Sequence, residues 1–195
     1  MLKRIDDCVE NGMQQEIILD NMEILEITPE LKRKLESMKY LNYLSMNDCR
    51  LSTLANFPNL PYLYRLELAN NDFPVSDLRY LTGLKALENL TLSGNEISNA
   101  EELKVLASLP LIQLDLTQTQ FAKKANYRDR VFQTLNDLMI LDNKDQNGDE
   151  LECESDEDDN GDSDYCYSND GSYELSDEEY EREATGQVRN KRIKK

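Results

Sequence analysis

The residues of this sequence best suited to chemistry are the carboxylates that crowd its C-terminal part. Between Asp145 and Glu183 there are 18 acidic residues and one basic residue, Arg182. Carboxylates at this density attract the lysine and arginine side chains of basic proteins. The same charge repels nucleic-acid phosphate and anionic lipid. The stretch therefore predicts basic proteins as partners, with no direct binding to nucleic acid and none to membranes.

Tyrosines are interleaved with these acids. An aromatic ring beside a carboxylate favours lysine and arginine by cation–π contact as well as by charge, at about 0.5 to 2 kcal/mol for each contact. The candidate binding residues of the tail are Asp156, Glu157, Asp158, Asp159, Tyr165, Tyr167, Tyr173, Asp177, Glu178, Glu179 and Tyr180. A tail that only keeps the protein soluble is the alternative on composition alone.

Two serines in the tail are candidate phosphorylation sites. Ser155 and Ser176 each have an acidic residue three positions later, which is the pattern that acidophilic kinases accept. A phosphate group adds a charge of about −1.5 to −2. We expect modification of either serine to tighten binding to basic partners.

No arrangement of residues in the sequence indicates catalysis. Histidine is absent, which removes the commonest general base and metal ligand. The seven glycines form no phosphate-binding loop, and the four cysteines stand far apart, so we expect them to be reduced and structural. Carboxylates outside the tail are expected on solvated faces, where nothing raises a pKa. We therefore predict no catalytic residues, no metal and no cofactor, and a protein that is not an enzyme.

A leucine pattern upstream of the tail supplies the elements that would position a binding surface. The pattern Leu-x-x-Leu-x-Leu-x-x-Asn/Cys-x-Leu recurs from Leu41, Leu63, Leu87 and Leu111, so that its starts are 22, 24 and 24 residues apart. This spacing is typical of leucine-rich repeats, which run to roughly 20 to 29 residues. One such unit cannot bury its own apolar edge, so neighbouring units must stack. The pattern predicts an α/β leucine-rich repeat solenoid with parallel strands on its concave face.

The two open ends of such a solenoid need caps. At the N-terminal end, residues 1–12 have the apolar spacing of a capping helix, and a degenerate repeat around Ile17 follows. Thr28 and Pro29 then predict the start of a helix on the convex side, with Leu31 and Leu35 facing inward. At the other end we expect a helix near Val131, after which Leu138 and Leu141 resume the ladder, Leu138 lying 24 residues after Leu114.

Side chains that alternate with the leucines of a strand point away from the core. On the concave face these residues are the candidate binding positions Tyr43, Ser45, Asn47, Arg65, Glu67, Asn89, Thr91, Gln113 and Asp115. They form a polar and mildly acidic row. A face that is only solvated is the alternative, because repeat proteins often, though not always, bind through this side.

The segment from Tyr127 to Asp142 reads Tyr-Arg-x-x-Val-Phe-x-x-Leu-x-x-Leu-x-x-Leu-Asp. It resembles the C-terminal cap of leucine-rich repeat proteins that include the acidic leucine-rich nuclear phosphoproteins, and the acidic tail narrows the choice to that family. The resemblance implies a monomeric nuclear protein that shuttles to the cytoplasm, binds core histones as a chaperone and regulates histone acetylation. The resemblance also offers two alternatives. One is inhibition of protein phosphatase 2A, and the other is a role as an adaptor like the spliceosomal A-prime protein.

These observations divide the chain into three parts. Residues 1–145 are the predicted repeat domain, with repeats over about 16–122 and a C-terminal cap over 123–145. Residues 146–188 form an acidic tail, which we expect to be disordered because it contains too few apolar residues to offset its ordering entropy. Of the net charge of −17, residues 143–195 carry −11.

Residues 189–195 reverse the charge of the tail. Lys191, Arg192, Lys194 and Lys195 match the basic patches that nuclear import receptors read. A frayed terminus without a role is the alternative. We predict that deleting residues 189–195 shifts a fluorescently tagged protein from the nucleus to the cytoplasm, and an unchanged nuclear signal would refute the import role.

Overall fold

The computed structural model describes residues 15–150, and six parallel strands dominate them. Each strand pairs with the next one along the chain. The strands are β1 (Glu16–Ile18), β2 (Tyr43–Ser45), β3 (Arg65–Glu67), β4 (Asn89–Thr91), β5 (Gln113–Asp115) and β6 (Ile140–Leu141). A parallel ladder in strict chain order requires one return connection for each strand, as in stacked repeats. The predicted leucine-rich repeat solenoid is confirmed.

The middle residue of each of the first five strands is buried and faces its counterpart in the next strand. The register aligns Ile17 with Leu44, and then Leu66, Leu90 and Leu114 in turn. None of these side chains is more than 2% exposed. The alignment at Ile17 confirms the degenerate first repeat.

Polar or thiol side chains close the turns that follow β2, β3, β4 and β5, and they do so inside the core. Asn71 donates from Nδ2 to the carbonyls of Met46 at 2.9 Å and Leu68 at 3.0 Å, and it accepts from the Leu51 amide at 2.9 Å. Asn95 donates to the Leu68 carbonyl at 2.9 Å in the same way. Within residues 15–150, every buried side-chain nitrogen or oxygen has a hydrogen-bond partner.

Cys49 takes the asparagine position in the second repeat. Its Sγ lies 3.2 Å from the carbonyl of Leu19, and the side chain is fully buried and free of any disulfide. Burial raises the pKa of this thiol. The expected reduced, structural role is confirmed for Cys49.

Helices of two kinds form the convex side. Helix α1 (Pro29–Ser37) begins as predicted, since the Thr28 hydroxyl accepts from the Leu31 amide at 3.2 Å. Leu31 and Leu35 are fully buried. The shorter connections of the middle repeats instead form 3₁₀ helices at Val75–Leu81 and Ala100–Ser108.

The last rung of the ladder differs from the sequence-based expectation. Helix α2 (Tyr127–Thr134) buries Val131 as predicted, and β6 follows it. However, the residue that pairs with Leu114 is Leu141, not Leu138. Leu141 thus resumes the ladder as expected. The spacing of 24 residues assigned to Leu138 was wrong because the cap helix lengthens the last unit, so that the chain returns to the sheet three residues later.

Some sequence-based predictions concern residues 1–14 and 151–195, outside the part of the chain that the structure describes. They are the capping helix over residues 1–12, the candidate residues and phosphorylation sites of the tail, and the basic segment 189–195. Among residues 15–150, no helix has the length and apolar character needed to cross a membrane.

We predict that Leu90→Ala or Leu114→Ala lowers the free energy of unfolding by about 2 to 5 kcal/mol, because each leaves a cavity in a core one coil thick. Urea unfolding followed by circular dichroism measures the change. The matched control is Thr91→Ala, on the solvent side of the same strand as Leu90, which should cost within about 0.5 kcal/mol. Equal effects of Leu90→Ala and Thr91→Ala would contradict the assigned register.

Candidate functional site

The concave face brings together the residues that the sequence singled out there. One row runs across the strands as Tyr43, Arg65, Asn89 and Gln113, and a second row as Ser45, Glu67, Thr91 and Asp115. Asn47 lies just beyond β2. In a parallel sheet, equivalent positions on neighbouring strands are about 4.8 Å apart. Ser45 is fully buried, contrary to the expectation for this row. The other predicted residues form one continuous surface, although nothing in their position alone assigns them a partner.

Glu67 is the centre of the N-terminal half of this face. Its Oε1 accepts from Arg65 Nη2 at 2.6 Å, from Arg65 Nε at 2.9 Å and from the Tyr43 hydroxyl at 3.2 Å. The Arg65 guanidinium also lies 5.2 Å from the centroid of the Tyr43 ring. The three side chains thus hold one another in a fixed arrangement.

Asn47 and Ser45 extend this network toward the first strand. Asn47 donates from Nδ2 to Glu67 Oε2 at 2.7 Å, and its Oδ1 accepts from the Ala69 amide at 2.7 Å. Ser45 donates from Oγ to Asp20 Oδ1 at 2.6 Å, and the same oxygen of Asp20 accepts from the Asn47 amide at 2.8 Å. The polar groups of β1–β3 are therefore largely engaged with one another.

Two opposing effects act on the pKa of Glu67. Burial by itself would raise the pKa, but the hydrogen bonds from Asn47 and Arg65 outweigh burial and hold the pKa below its ordinary value. Glu67 thus stays ionised, and the stability it contributes is lost only as the pH falls through its lowered pKa. This carboxylate is a structural anchor of the face.

The C-terminal half of the face differs in that its side chains are mostly uncommitted. Within residues 15–150, the side chains of Asn89 and Thr91 form no hydrogen bond. Gln113 Nε2 donates to Asn143 Oδ1 at 3.3 Å in an exposed contact. Asp115 accepts from the Thr117 amide through one oxygen, Oδ1, at 2.8 Å. These groups are available to a partner.

Asp142, directly after β6, was not among the candidate site residues predicted from the sequence. It directly follows Leu141, which pairs with Leu114, and the charge of Asp115 acts on its carboxylate. Its Oδ1 accepts from the Leu116 amide at 2.9 Å, and its Oδ2 accepts from the Tyr127 hydroxyl at 3.0 Å. The repeated Leu-Asp pair at 114–115 and 141–142 was the signal that could have identified it.

Asp142 also corrects the expectation that carboxylates of the repeat domain have no raised pKa. Burial raises the pKa of Asp142, and the charge of Asp115 acts in the same direction. The hydrogen bonds from Leu116 and Tyr127, and the positive charge of Arg128, limit this rise in the pKa of Asp142. Burial also raises the pKa of Tyr127, with the charge of Asp142 adding to it, so the phenol remains a donor at neutral pH.

Arg128 ties the cap to the end of the sheet. Its guanidinium donates to the carbonyl oxygens of Leu141 at 2.8 Å, Lys144 at 3.1 Å and Asp145 at 2.5 Å. It also lies 5.6 Å from the Phe132 ring centroid. Arg128 therefore binds backbone carbonyl oxygens of the cap. Within residues 15–150 it forms no ion pair with Asp115 or Asp142.

We predict that Tyr127→Phe destabilises the fold by about 1 to 3 kcal/mol at neutral pH, because it removes a donor from a half-buried carboxylate. Losing that donor raises the pKa of Asp142 further above its unfolded value of about 3.9. Ionisation of Asp142 then opposes folding as the pH rises. The loss should be smallest below the unfolded pKa and grow toward neutral pH in urea unfolding experiments.

The matched control for this variant is Tyr62→Phe, since the Tyr62 side chain is 60% exposed. Removing that hydroxyl should leave the unfolding free energy unchanged at every pH. A cost for Tyr127→Phe that does not vary with pH would show that the Asp142 carboxylate is not coupled to Tyr127.

Comparison with known proteins gives relatives of the repeat domain, although no family model matches the chain. A protein of Tetrahymena thermophila that is named as a histone is 42% identical over 123 residues, which is 63% of this chain and 32% of that protein. The acidic leucine-rich nuclear phosphoprotein 32 family member A of Drosophila pseudoobscura pseudoobscura is 39% identical over 146 residues, covering 73% and 52% of the two chains. The chain spans about half the length, or less, of these relatives.

A chain in the crystal structure of the Drosophila melanogaster SNF/U2A' complex shares the fold. The TM-score is 0.57 and the identity 24%, over 67% of this chain and 73% of that one. This likeness supports the repeat architecture alone. The family name of the D. pseudoobscura pseudoobscura relative places its members, and with them this chain, in the nucleus. The chain belongs to the acidic leucine-rich nuclear phosphoprotein 32 family.

Proposed function

We propose that this protein binds core histones and other basic proteins in the nucleus in the manner of a chaperone. The observation that supports the proposal is the high proportion of acidic residues after the repeat domain. From Asp145 to Glu183 there are 18 acidic residues and one basic residue. Histones are the most abundant strongly basic proteins of that compartment. A domain similar to this one also makes up about a third of a protein that is named a histone.

The two parts of the chain have complementary roles in this proposal. The acidic tail covers lysines and arginines of the partner, while the repeat surface binds a second area of the same partner. Because both parts are on one chain, binding by one raises the local concentration of the other. A histone held in this way is shielded from non-productive contact with DNA, and its covered lysines are withheld from acetylation. An import receptor would be a further partner, through residues 189–195.

The alternatives are inhibition of protein phosphatase 2A and an adaptor role within a ribonucleoprotein particle. Both would use the repeat surface and would depend little on the tail. Catalysis has no place in any of the three. Binding to histones that depends on the tail and on salt therefore separates the proposed function from the alternatives.

We predict that converting Asp156, Glu157, Asp158 and Asp159 to Asn or Gln in the full-length chain weakens binding to core histones by about tenfold or more at low salt. Wild-type binding should also fall steeply as salt is added, because salt screens charge pairs. Titration calorimetry over a salt series measures both effects.

A charge-matched control converts four exposed acids of the repeat domain, Glu26, Glu30, Glu96 and Asp137, in the same way. This variant should bind as the wild type does. Full retention of histone binding by the tail variant would refute the tail mechanism. Loss of phosphatase activity on addition of the chain, without histone binding, would favour the inhibitor.

A further inference from the structure

We infer that a row of exposed turns leading into β2, β3 and β4 is a docking site for a short acidic segment of a partner protein. We call this row the turn ridge, and its residues are Lys39, Tyr40, Pro61, Tyr62, Lys85 and Ala86. The site goes beyond the proposed function, because its occupant is acidic whereas histones are basic. It is formed by turns and does not use the side chains of the concave face.

The same β-turn is repeated in three consecutive coils. In each turn a leucine amide donates to the carbonyl three residues earlier: Leu41 to Met38 at 3.1 Å, Leu63 to Leu60 at 3.2 Å and Leu87 to Leu84 at 3.2 Å. A hydrogen bond of this kind closes a β-turn around two central residues, which here belong to the turn ridge. The strands that follow are in register. Because neighbouring strands are about 4.8 Å apart, Lys39 and Lys85, two coils apart, lie roughly 10 Å from each other.

The turn ridge has positive charge without a counter-ion. Within residues 15–150, neither Lys39 nor Lys85 forms an ion pair, and Lys85 Nζ donates only to the carbonyl of Thr82, at 2.7 Å. Glu36 is the acidic residue nearest to Lys39 in the sequence, but its Oε1 accepts from the Asn59 amide at 2.9 Å. Both lysines are therefore available to carboxylates of a partner, with which they form charge-assisted hydrogen bonds.

Two exposed tyrosines lie in the same row as the lysines. The side chain of Tyr40 is 45% exposed and that of Tyr62 is 60% exposed. Their ring centroids are 6.4 Å apart and the ring planes are tilted by 35°. Pro61 is exposed beside them. Since aromatic rings gain most by covering apolar surface, we expect the occupant to have apolar side chains between its acidic residues.

The main chain behind the turn ridge is already hydrogen bonded between coils. The amides of Asn42, Tyr64 and Glu88, which follow the three turns, donate to the carbonyls of Gln15 at 2.8 Å, Asn42 at 2.8 Å and Tyr64 at 3.0 Å. A partner is therefore recognised by side chains and not by addition of a strand.

The spacing of the two lysines fits an extended peptide. Such a peptide advances about 3.3 Å per residue, so two acidic residues about three positions apart span roughly 10 Å. Nucleic acid fits less well, because its binding depends on neutralising many phosphates and the turn ridge has only two lysines. The turn ridge thus favours a short acidic segment of a protein.

NMR titration of the full-length chain tests this site. The probe is a synthetic peptide with two glutamates about three positions apart and with leucine and proline between them. The backbone amide signals of Lys39, Tyr62 and Lys85 should shift to saturation. In the double variant Lys39→Gln/Lys85→Gln, the apparent affinity should fall on the order of tenfold, because two charge pairs are lost.

The charge-matched control is Lys123→Gln/Arg130→Gln, which removes two exposed cations from the C-terminal cap and should titrate as the wild type does. Absence of any shift in the wild type, or an equal loss of affinity in the two double variants, would overturn the inference. A single-stranded oligonucleotide that shifts the same signals at lower concentration than the peptide would also overturn it, since the turn ridge would then be a nucleic-acid site.

A second variant tests the role of the aromatic rings. Tyr62→Ala should weaken binding of the probe peptide several-fold, on the order of the loss of one aromatic contact. It should leave unchanged the weaker binding of a peptide in which serines replace the leucine and proline. Equal effects on the two peptides would contradict an apolar contact at Tyr62.

Failure of this site can be told apart from failure of the proposed function. If the chain captures core histones while the signals of the turn ridge do not respond to the acidic peptide, the function stands and the site does not exist. If the signals respond but the chain captures no core histones, the site stands and the proposed function fails.

Discussion

Hydrogen bonds from side chains buried at the turn of each repeat hold the whole structure together. A buried amide that lacks a partner costs about 1 to 3 kcal/mol, so each such residue must find acceptors in its own turn or in the adjacent coil. Asn71 and Asn95 do this by donating to backbone carbonyls of the preceding repeat and of their own turn. Cys49 and Thr119 replace asparagine at the first and last full repeats, with contacts to Leu19 and Leu116. These hydrogen bonds fix the spacing of the coils, and the leucines fill the core between them.

A rigid ladder has a direct consequence for binding. Since the strands cannot shift relative to one another, the side chains of the concave face are presented in fixed rows. In the N-terminal half these rows contain enough complementary groups to satisfy one another, centred on Glu67. In the C-terminal half the cap contributes Asp142, whose pKa the charge of Asp115 helps to raise. The arginine of the cap, Arg128, donates to backbone carbonyl oxygens. The cap thus adds the carboxylate of Asp142 at the end of β6, where the charge of Arg128 partly offsets it.

Much of the fold could be predicted from the sequence, because the leucine pattern determines the register of β1–β5 directly. The pairing of β6 with β5 could not be predicted in this way. The position at which β6 returns to the sheet depends on the length of the cap helix and not on the repeat pattern. The partners of Glu67 and the pKa of Asp142 depend on contacts between strands, which a one-dimensional pattern does not encode. The left-handed backbone at Asp48 and Gln118 also gives no signal, because neither is glycine. The face was therefore predicted as a row of positions, while its division into two halves required the structure.

The central claim is that the carboxylates of the tail contact the basic partner. Carbodiimide crosslinking of the full-length chain to core histones tests it directly, because the reagent joins carboxylates to lysine amines that already touch. Mass spectrometry should find crosslinks from acids of residues 145–183. Crosslinks confined to acids of the convex side, such as Glu30 and Glu101, would contradict the account.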